Sequence, residues 1–265
     1  MIISISFALL FVLISNLLYI CHILKSPMKQ LSEYKSWLKN IIDNNQEDEY
    51  LEFVWEIMES PFVEYHYELM KDPEMDDDFR RNLRFRFDEH GEEGAAFLLS
   101  KLEKNEDPEF HAAILFILGK TKGKQKEKTL EYARKFVKSQ DPLLRENAFI
   151  VLGWIGQIKD LIILKKGLFE DEQPKCRAWS ASSYMQMWFR NENSHLRVKA
   201  FEAYKTALPN EKDYFVLSVI LSSIRVMGKT KLGISQTALD AMDREKIDTI
   251  IPKALKFLEK ALDNN

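Results

Sequence analysis

Apolar residues recur at helical spacing along most of the chain, in segments separated by short polar stretches. The pattern is clearest in residues 141–156, where an apolar side chain returns to one face at every third or fourth position. Asp141 can accept hydrogen bonds from the free N–H groups of the first turn, and Pro142 suits the first helical position. Gly153 and Gly156 permit close packing and a left-handed helix end. We therefore predict a buried helix with the inward residues Leu144, Ala148, Val151, Leu152 and Ile155.

The same spacing predicts helices over most of the remaining chain. Nine glycines and eight prolines in 265 residues are too few for the many tight turns of a sheet-rich fold. Pro61 interrupts an aromatic-rich helical segment, and Pro252 is assigned to the first turn of the last helix. The sequence thus predicts an all-α protein, with helices at residues 30–42, 50–70, from 79 onward, 91–105, 107–119, 126–138, 159–169, 173–187, 194–208, 213–228 and 248–262.

The segment at 141–156 also repeats along the chain. Asp107-Pro108 opens a match 34 residues earlier, and Gln173-Pro174 opens a weaker one 32 residues later. The central copy fills the pattern D-P-x-[VL]-R-x-x-A-x-x-x-L-G-x-I-G, so it resembles the first helix of a HEAT repeat. The earlier copy departs from that pattern at His111, Ile114 and Lys122. The resemblance implies a right-handed α-solenoid of helix pairs. In a single domain at 28–265, residues 107–262 hold recognisable repeats and residues 30–105 hold degenerate helix pairs.

Residues 2–24 contain no Asp, Glu, Lys or Arg, and a helix of that length would cross a hydrocarbon core of about 30 Å. Lysines follow this run, from Lys25 to Lys39, so an anchor there would tether a cytoplasmic domain to the inner face of the cytoplasmic membrane. The serines, asparagine and histidine within the run also fit a packed helix. In a third interpretation Met28 is the true start, and residues 1–27 are not translated. We favour the single-pass anchor.

Charge is divided unevenly along the chain. Residues 41–110 carry 22 acidic and 7 basic side chains, whereas residues 111–265 carry 18 acidic and 27 basic ones, within a net charge of −3. Such polarisation can steer a charged partner, although it also suits an ordinary solvated surface. The acidic run Asp76, Asp77 and Asp78 lacks the spacing of a calcium loop. We expect it to cap the following helix, and we also count it as a candidate contact for a basic part of a partner.

Candidate chemistry is sparse. The five histidines are scattered without zinc spacing, and no nucleotide-binding or nucleophile motif is present. Cys21 and Cys176 form no disulfide framework, which fits a reducing compartment. We expect no catalytic residue, no metal and no cofactor. Nucleic acid is not the expected partner, because the acidic N-terminal half opposes it and no aromatic residues interleave the lysine run at 120–128. Some HEAT-like solenoids are DNA glycosylases, a comparison suggested by Trp154, Trp179 and Trp188.

The resemblance implies binding of another protein on an extended concave face, normally built from the second helix of each repeat. The outward positions of these helices predict a mostly basic stripe formed by Lys128, Tyr132, Lys135, Lys166, Glu202 and Lys205. In size, degeneracy and charge polarisation the chain resembles bacterial immunity proteins that neutralise a cognate toxin. The alternatives are a nucleic-acid-binding or glycosylase-like solenoid and a generic scaffold or accessory subunit. A separate alternative for the stripe is that its lysines only keep the repeat array soluble.

Overall fold

The structure is a computed structural model that describes residues 29–46, 48–104, 107–121, 123–190 and 192–263. The predicted segment 1–27, with its apolar run at 2–24, lies outside the described residues, and so do Cys21 and Lys122. Every regular element in the described part of the chain is helical, which confirms the all-α prediction. Within those residues, no helix combines the length and the apolar character needed to cross a membrane.

The chain divides into two compact units, residues 1–62 and residues 63–265. In the described part of the first unit lie α1 (Leu31–Asp43) and α2 (Glu49–Met58). Tyr34 of α1 packs edge-on against Phe53 of α2, with ring centroids 6.1 Å apart, and its hydroxyl donates to the carbonyl of Glu56 at 3.2 Å. Ile42 is 44% exposed. Its neighbour Ile41 takes the inward position, since adjacent helical residues point about 100° apart.

The second unit is a succession of helices joined by short connections. Two single-turn 3₁₀ segments, Phe87–His90 and Ile158–Asp160, precede α5 and α9. The helices are α3 (Val63–Lys71), α4 (Asp77–Arg86), α5 (Gly91–Leu102), α6 (Pro108–Lys120), α7 (Lys126–Phe136), α8 (Pro142–Ile155), α9 (Leu161–Glu170), α10 (Pro174–Phe189), α11 (Ser194–Ala207), α12 (Tyr214–Met227), α13 (Gln236–Asp240) and α14 (Arg244–Asp263).

The helices of this second unit form two layers. The first-helix layer contains α4, α6, α8, α10 and α12, each packed on the next, and the second-helix layer contains α5, α7, α9, α11 and α14. Each first helix is followed along the chain by its partner in the other layer. This stacking of antiparallel pairs is an α-solenoid, as the repeated sequence pattern predicts.

The first-helix layer packs more closely than the second-helix layer, because small residues lie at its contacts. A Cβ atom added to Gly153 of α8 would lie 2.7 Å from the Oγ atom of Ser183 on α10, so the predicted close packing at Gly153 is confirmed. The predicted left-handed helix end at Gly156 is wrong, since its φ is −62°. Gly156 instead lies so close to the carbonyl of Leu152 that a Cβ atom would be 2.2 Å from that oxygen.

The last repeat also differs from the prediction. The sequence pattern does not reveal α13, and α14 begins at Arg244 rather than at residue 248. Asp243 starts this helix early: its carboxylate accepts from the backbone N–H of Lys246 at 3.2 Å and from the Lys246 side chain at 2.6 Å. Pro252, predicted for the first turn, consequently lies inside the helix. Burial of Ala254 and Leu258 holds the helix together past the missing N–H group.

Candidate functional site

Two arginines join successive repeats in the same way. The Nε and Nη2 atoms of Arg145 donate to the carboxylate of Asp171 at 2.9 and 3.0 Å, and those of Arg177 donate to Glu211 at 2.7 and 3.0 Å. These hydrogen bonds raise the pKa of each arginine. Burial alone would raise the pKa of Glu211, but the hydrogen bonds that it accepts outweigh burial and lower it. The arginine pairs therefore fix the stacking of α8, α10 and α12, and they provide a rigid support for the opposite layer.

A third arginine pair bridges α7 and α9 in the second-helix layer. Arg134 donates to the carboxylate of Asp160 at 2.7 and 3.0 Å. The Asp160 side chain is 2% exposed and also accepts from the backbone N–H of Gln157 at 2.8 Å. Elsewhere α7 and α9 make few contacts. The bridge therefore holds two helices that diverge from each other and leave a groove between them.

This groove has a volume of about 580 Å³. Gly167 lets α9 approach the first-helix layer, since a Cβ atom there would lie 2.5 Å from the ring of Phe149 on α8. The ring of Phe149 is buried, whereas Ile162 at the rim is 75% exposed. The groove thus combines an apolar interior with a charged rim. Its other lining residues are Arg134, Val137, Lys138, Ile163, Lys166, Glu170 and Asp171.

The residues of the predicted stripe lie on three helices of the second-helix layer. Lys128, Tyr132 and Lys135 lie on α7, whereas Lys166 lies on α9 across the groove. Lys135 is exposed, and its Nζ atom is 6.0 Å from the ring centroid of Tyr132. Glu202 and Lys205 lie further along the array on α11. Of these residues Lys166 lines the groove, where Val137, Ile162 and Ile163 add apolar surface next to it.

Several members of the stripe have partners of opposite charge. Lys166 lies 3.7 Å from Glu170 on the same helix. Lys205 lies 3.5 Å from Glu259 of α14, and Glu202 pairs with Lys199 at 2.9 Å. Among the described residues, no carboxylate pairs with Lys128 or Lys135. These two lysines of α7 therefore carry positive charge without a paired carboxylate in the described part of the chain.

The acidic run before α4 performs the capping role that the sequence suggests. The carboxylate of Asp76 accepts from the backbone N–H groups of Asp78 and Phe79 at 2.9 and 3.1 Å. Asp77 pairs with Arg80, and Asp78 pairs with Arg81 at 2.9 Å. All three aspartates are exposed. Since these contacts are exposed, a basic partner could compete for the carboxylates at low cost.

The tryptophans do not lie on the lysine-bearing face. Trp188 is buried, and Trp154 packs edge-on against Phe116 with ring centroids 4.9 Å apart. The indole N–H of Trp179 donates to the Glu146 carboxylate at 2.8 Å. These three side chains therefore pack among the first helices, where they cannot stack bases held by the lysines of α7.

Two histidines that are distant in sequence lie against each other in the structure. Their spacing along the chain does not predict this contact. The Nδ1 atom of His66 lies 2.8 Å from the Nε2 atom of His90, and the Nε2 atom of His66 lies 3.0 Å from the carbonyl oxygen of Leu83. Because a carbonyl oxygen only accepts hydrogen bonds, the Nε2 atom of His66 carries the proton. The Nδ1 atom of His66 therefore accepts a hydrogen bond from His90. Burial, together with the neighbouring His90, lowers the pKa of His66 to about 3. The contacts of His66 fasten α3 to α4.

Comparison with known proteins places part of the chain in a repeat class. A family model described as HEAT repeats matches residues 95–185, which extend from α5 to α10 and include the strongest sequence segment. A search of curated proteins gave no significant match, and neither did a search of solved structures. The family match and the helix layers both support the resemblance drawn from residues 141–156.

Proposed function

Because this chain carries HEAT repeats and folds as an α-solenoid, we propose that it is a non-enzymatic protein-binding module acting as a bacterial immunity protein against a cognate toxin. HEAT repeats in general mediate protein–protein interaction. A rigid array of helix pairs presents a large, preformed surface, which suits tight binding of one partner because little conformational entropy is lost.

The observation that carries this proposal is the groove between α7 and α9. It offers apolar surface from Val137, Ile162 and Ile163, and the positive charges of Lys138 and Lys166 line it. An acidic partner surface with one or two apolar side chains would match both features. The exposed aspartates 76–78 would meet a basic part of the same partner.

Nucleic acid binding is the competing function. The exposed lysines of α7 could contact phosphates, but the tryptophans of the second unit pack among its first helices, and the ring of Tyr132 packs on Phe136 with centroids 5.7 Å apart. Base stacking usually supplies much of the affinity for single strands. A DNA mobility-shift assay at two salt concentrations separates the functions. We expect no shift at physiological salt.

The test is a charge-reversal variant, Lys128→Glu, Lys135→Glu and Lys166→Glu, in a toxin-protection assay against the product of a toxin gene directly upstream. Charge reversal on α7 and at Lys166 in the groove should weaken binding by about tenfold or more, and the wild-type affinity should fall as salt rises. The matched control reverses three exposed lysines on other surfaces, Lys175, Lys212 and Lys231. Equal binding by both folded variants would reject the groove as the binding site.

A further inference from the structure

The last repeat contains an insertion that the other repeats lack. Between α12 and α14, residues 228–243 form three tight turns and the short helix α13. Lys229, Leu232 and Met242 adopt the left-handed region, with φ values of 48°, 52° and 51°. Non-glycine residues hold such a conformation only where the surrounding structure imposes it. Here the buried side chains of Leu232 and Leu239 fasten the insertion.

The insertion encloses a pocket on the first-helix layer, remote from the lysines of α7. The pocket has a volume of about 430 Å³, within the range of about 300–1,000 Å³ that is common for small-molecule sites. It lies between α10, α12 and α13, so it could not exist without the inserted segment. Its lining residues are Ala178, Trp179, Ser182, Met185, Phe215, Ser218, Val219, Ser222, Ser223, Gln236, Leu239, Asp240 and Met242.

The lining defines the shape and polarity of a ligand. Trp179 and Phe215 supply aromatic surface, and Met185 and Met242 supply flexible thioethers that adapt to an irregular shape. Rings stack well on such surfaces, and methionines tolerate variation in the ring substituents. The pocket thus suits a compact aromatic body of one or two rings.

One polar group in the lining has no partner. Ser218 is 6% exposed, and its hydroxyl has no hydrogen-bond partner among the described residues. Ser223 on the same helix is satisfied, because its hydroxyl donates to the carbonyl of Val219 at 2.8 Å. A buried hydroxyl without a hydrogen-bond partner lowers the stability of the protein. A ligand carbonyl that accepts a hydrogen bond from this hydroxyl would remove the loss of stability.

The charges around the pocket disfavour an anionic ligand. Asp240 carries the one ionised side chain in the described lining, and its carboxylate accepts from the amide of Gln236 at 2.8 Å. The nearby guanidinium of Arg225 donates to the carbonyl of the same Gln236 at 2.8 Å, and its formal charge balances that of Asp240. An ionised ligand would add a charge that these two side chains leave unbalanced, so an uncharged ligand fits this end of the pocket better.

We propose that this pocket binds an uncharged aromatic small molecule whose carbonyl oxygen accepts a hydrogen bond from Ser218. The ring lies against Trp179 and Phe215, and the carbonyl points toward α12. The site is separate from the proposed toxin-binding groove and does not depend on it.

The experiment measures binding of two matched probes to the full chain by ligand-observed NMR. The probe 1-indanone has the ring system and a carbonyl, whereas indane has the same rings without it. Binding of 1-indanone should be tighter. Ser218→Ala should weaken 1-indanone binding by about fivefold, the loss of one neutral hydrogen bond, and leave indane unchanged. Equal loss for both probes, or no loss for either, would overturn the hydrogen-bond assignment.

A second variant tests the pocket itself. Val219→Trp fills the pocket and should abolish binding of both probes. The matched control is Ala113→Trp, in the separate groove lined by α4, α6 and α8, and it should leave binding of both probes unchanged. If Val219→Trp does not fold, the comparison of probes with Ser218→Ala still decides the question. Should neither probe bind while Val219→Trp impairs toxin protection, the pocket takes a partner side chain and the small-molecule proposal is wrong.

Discussion

At the residue scale, one position in the repeat explains both the strong and the weak copies. The fourth residue after the residue that caps the first helix is Arg145 in one repeat and Arg177 in the next. Arg145 pairs with Asp171 and Arg177 pairs with Glu211, and each acid lies two residues before the cap of the following first helix. In the preceding repeat the corresponding residues are His111 and Ser139. His111 is buried, and its Nε2 atom has no hydrogen-bond partner among the described residues. Arginine and acid are thus replaced together, which avoids a buried carboxylate without a cation.

Removing one member of such a pair should be costly. Arg145→Met is expected to destabilise the protein by about 3–5 kcal/mol, because the Asp171 side chain, 7% exposed, would keep an uncompensated charge. The measurement is urea unfolding followed by circular dichroism. Lys166→Met is the control, since its pair with Glu170 is exposed and should contribute less than about 1 kcal/mol. A loss for Arg145→Met as small as that of the control would contradict the structural role.

The buried His66 should make stability depend on pH. Its pKa is about 3 in the folded chain and about 6.5 when unfolded, so the unfolded chain binds a proton first as pH falls. This contribution to stability is complete above pH 6.5 and is lost progressively toward pH 3. Between pH 7.5 and 5 the free energy of unfolding should fall by about 2 kcal/mol. His66→Gln should flatten this slope, whereas the exposed His195→Gln should retain it. Identical slopes in the two variants would exclude His66 as the cause.

At the element scale, α14 shows tertiary packing overriding a local signal. Pro252 cannot donate to the carbonyl of Asp248, yet the helix continues because its apolar face is buried. A proline there limits stability, since a proline inside a helix costs about 3 kcal/mol relative to alanine.

Replacing this proline should therefore stabilise the protein. Pro252→Ala is expected to raise the free energy of unfolding by about 1–3 kcal/mol, measured in urea. Pro174→Ala is the matched control, because Pro174 occupies the first position of α10, where no N–H is needed. It should change stability little. A loss of stability in Pro252→Ala would show that the proline has a favourable packing role.

At the scale of the whole molecule, charge and architecture act together. The excess of acid lies in residues 41–110, whereas the lysines of α7 and the groove belong to the basic part. A polarised scaffold orients an oppositely polarised partner during approach, and this effect weakens as salt rises.

The N-terminal run provides a prediction for the full chain. If residues 2–24 form an anchor, the full-length protein should sediment with membranes, and deletion of residues 1–27 should release a soluble, folded protein. The physical reason is the absence of any Asp, Glu, Lys or Arg across a length sufficient to span the hydrocarbon core. Cell fractionation checks this. A full-length protein found wholly in the cytosol would reject the anchor.

The sequence by itself determined most of the helices, their order and the strongest repeats. Helical periodicity and capping are local properties, so Asp141, Pro142 and the inward leucines could be interpreted without knowing their neighbours. The buried positions Leu144, Ala148, Val151 and Leu152 are confirmed, whereas Ile155 is half-buried at the helix end. The family match at 95–185 covers the part of the chain where these signals are densest.

The tertiary structure alone decided which helices diverge and what lies between them. The groove depends on the contact of Gly167 with Phe149 and on the bridge from Arg134 to Asp160, residues separated by 26 positions. The pocket beside α13 depends on turns with positive φ at Lys229, Leu232 and Met242. The spacing of apolar residues does not predict these turns. Both sites arise from contacts between repeats, and periodicity within a single helix carries no information about those contacts.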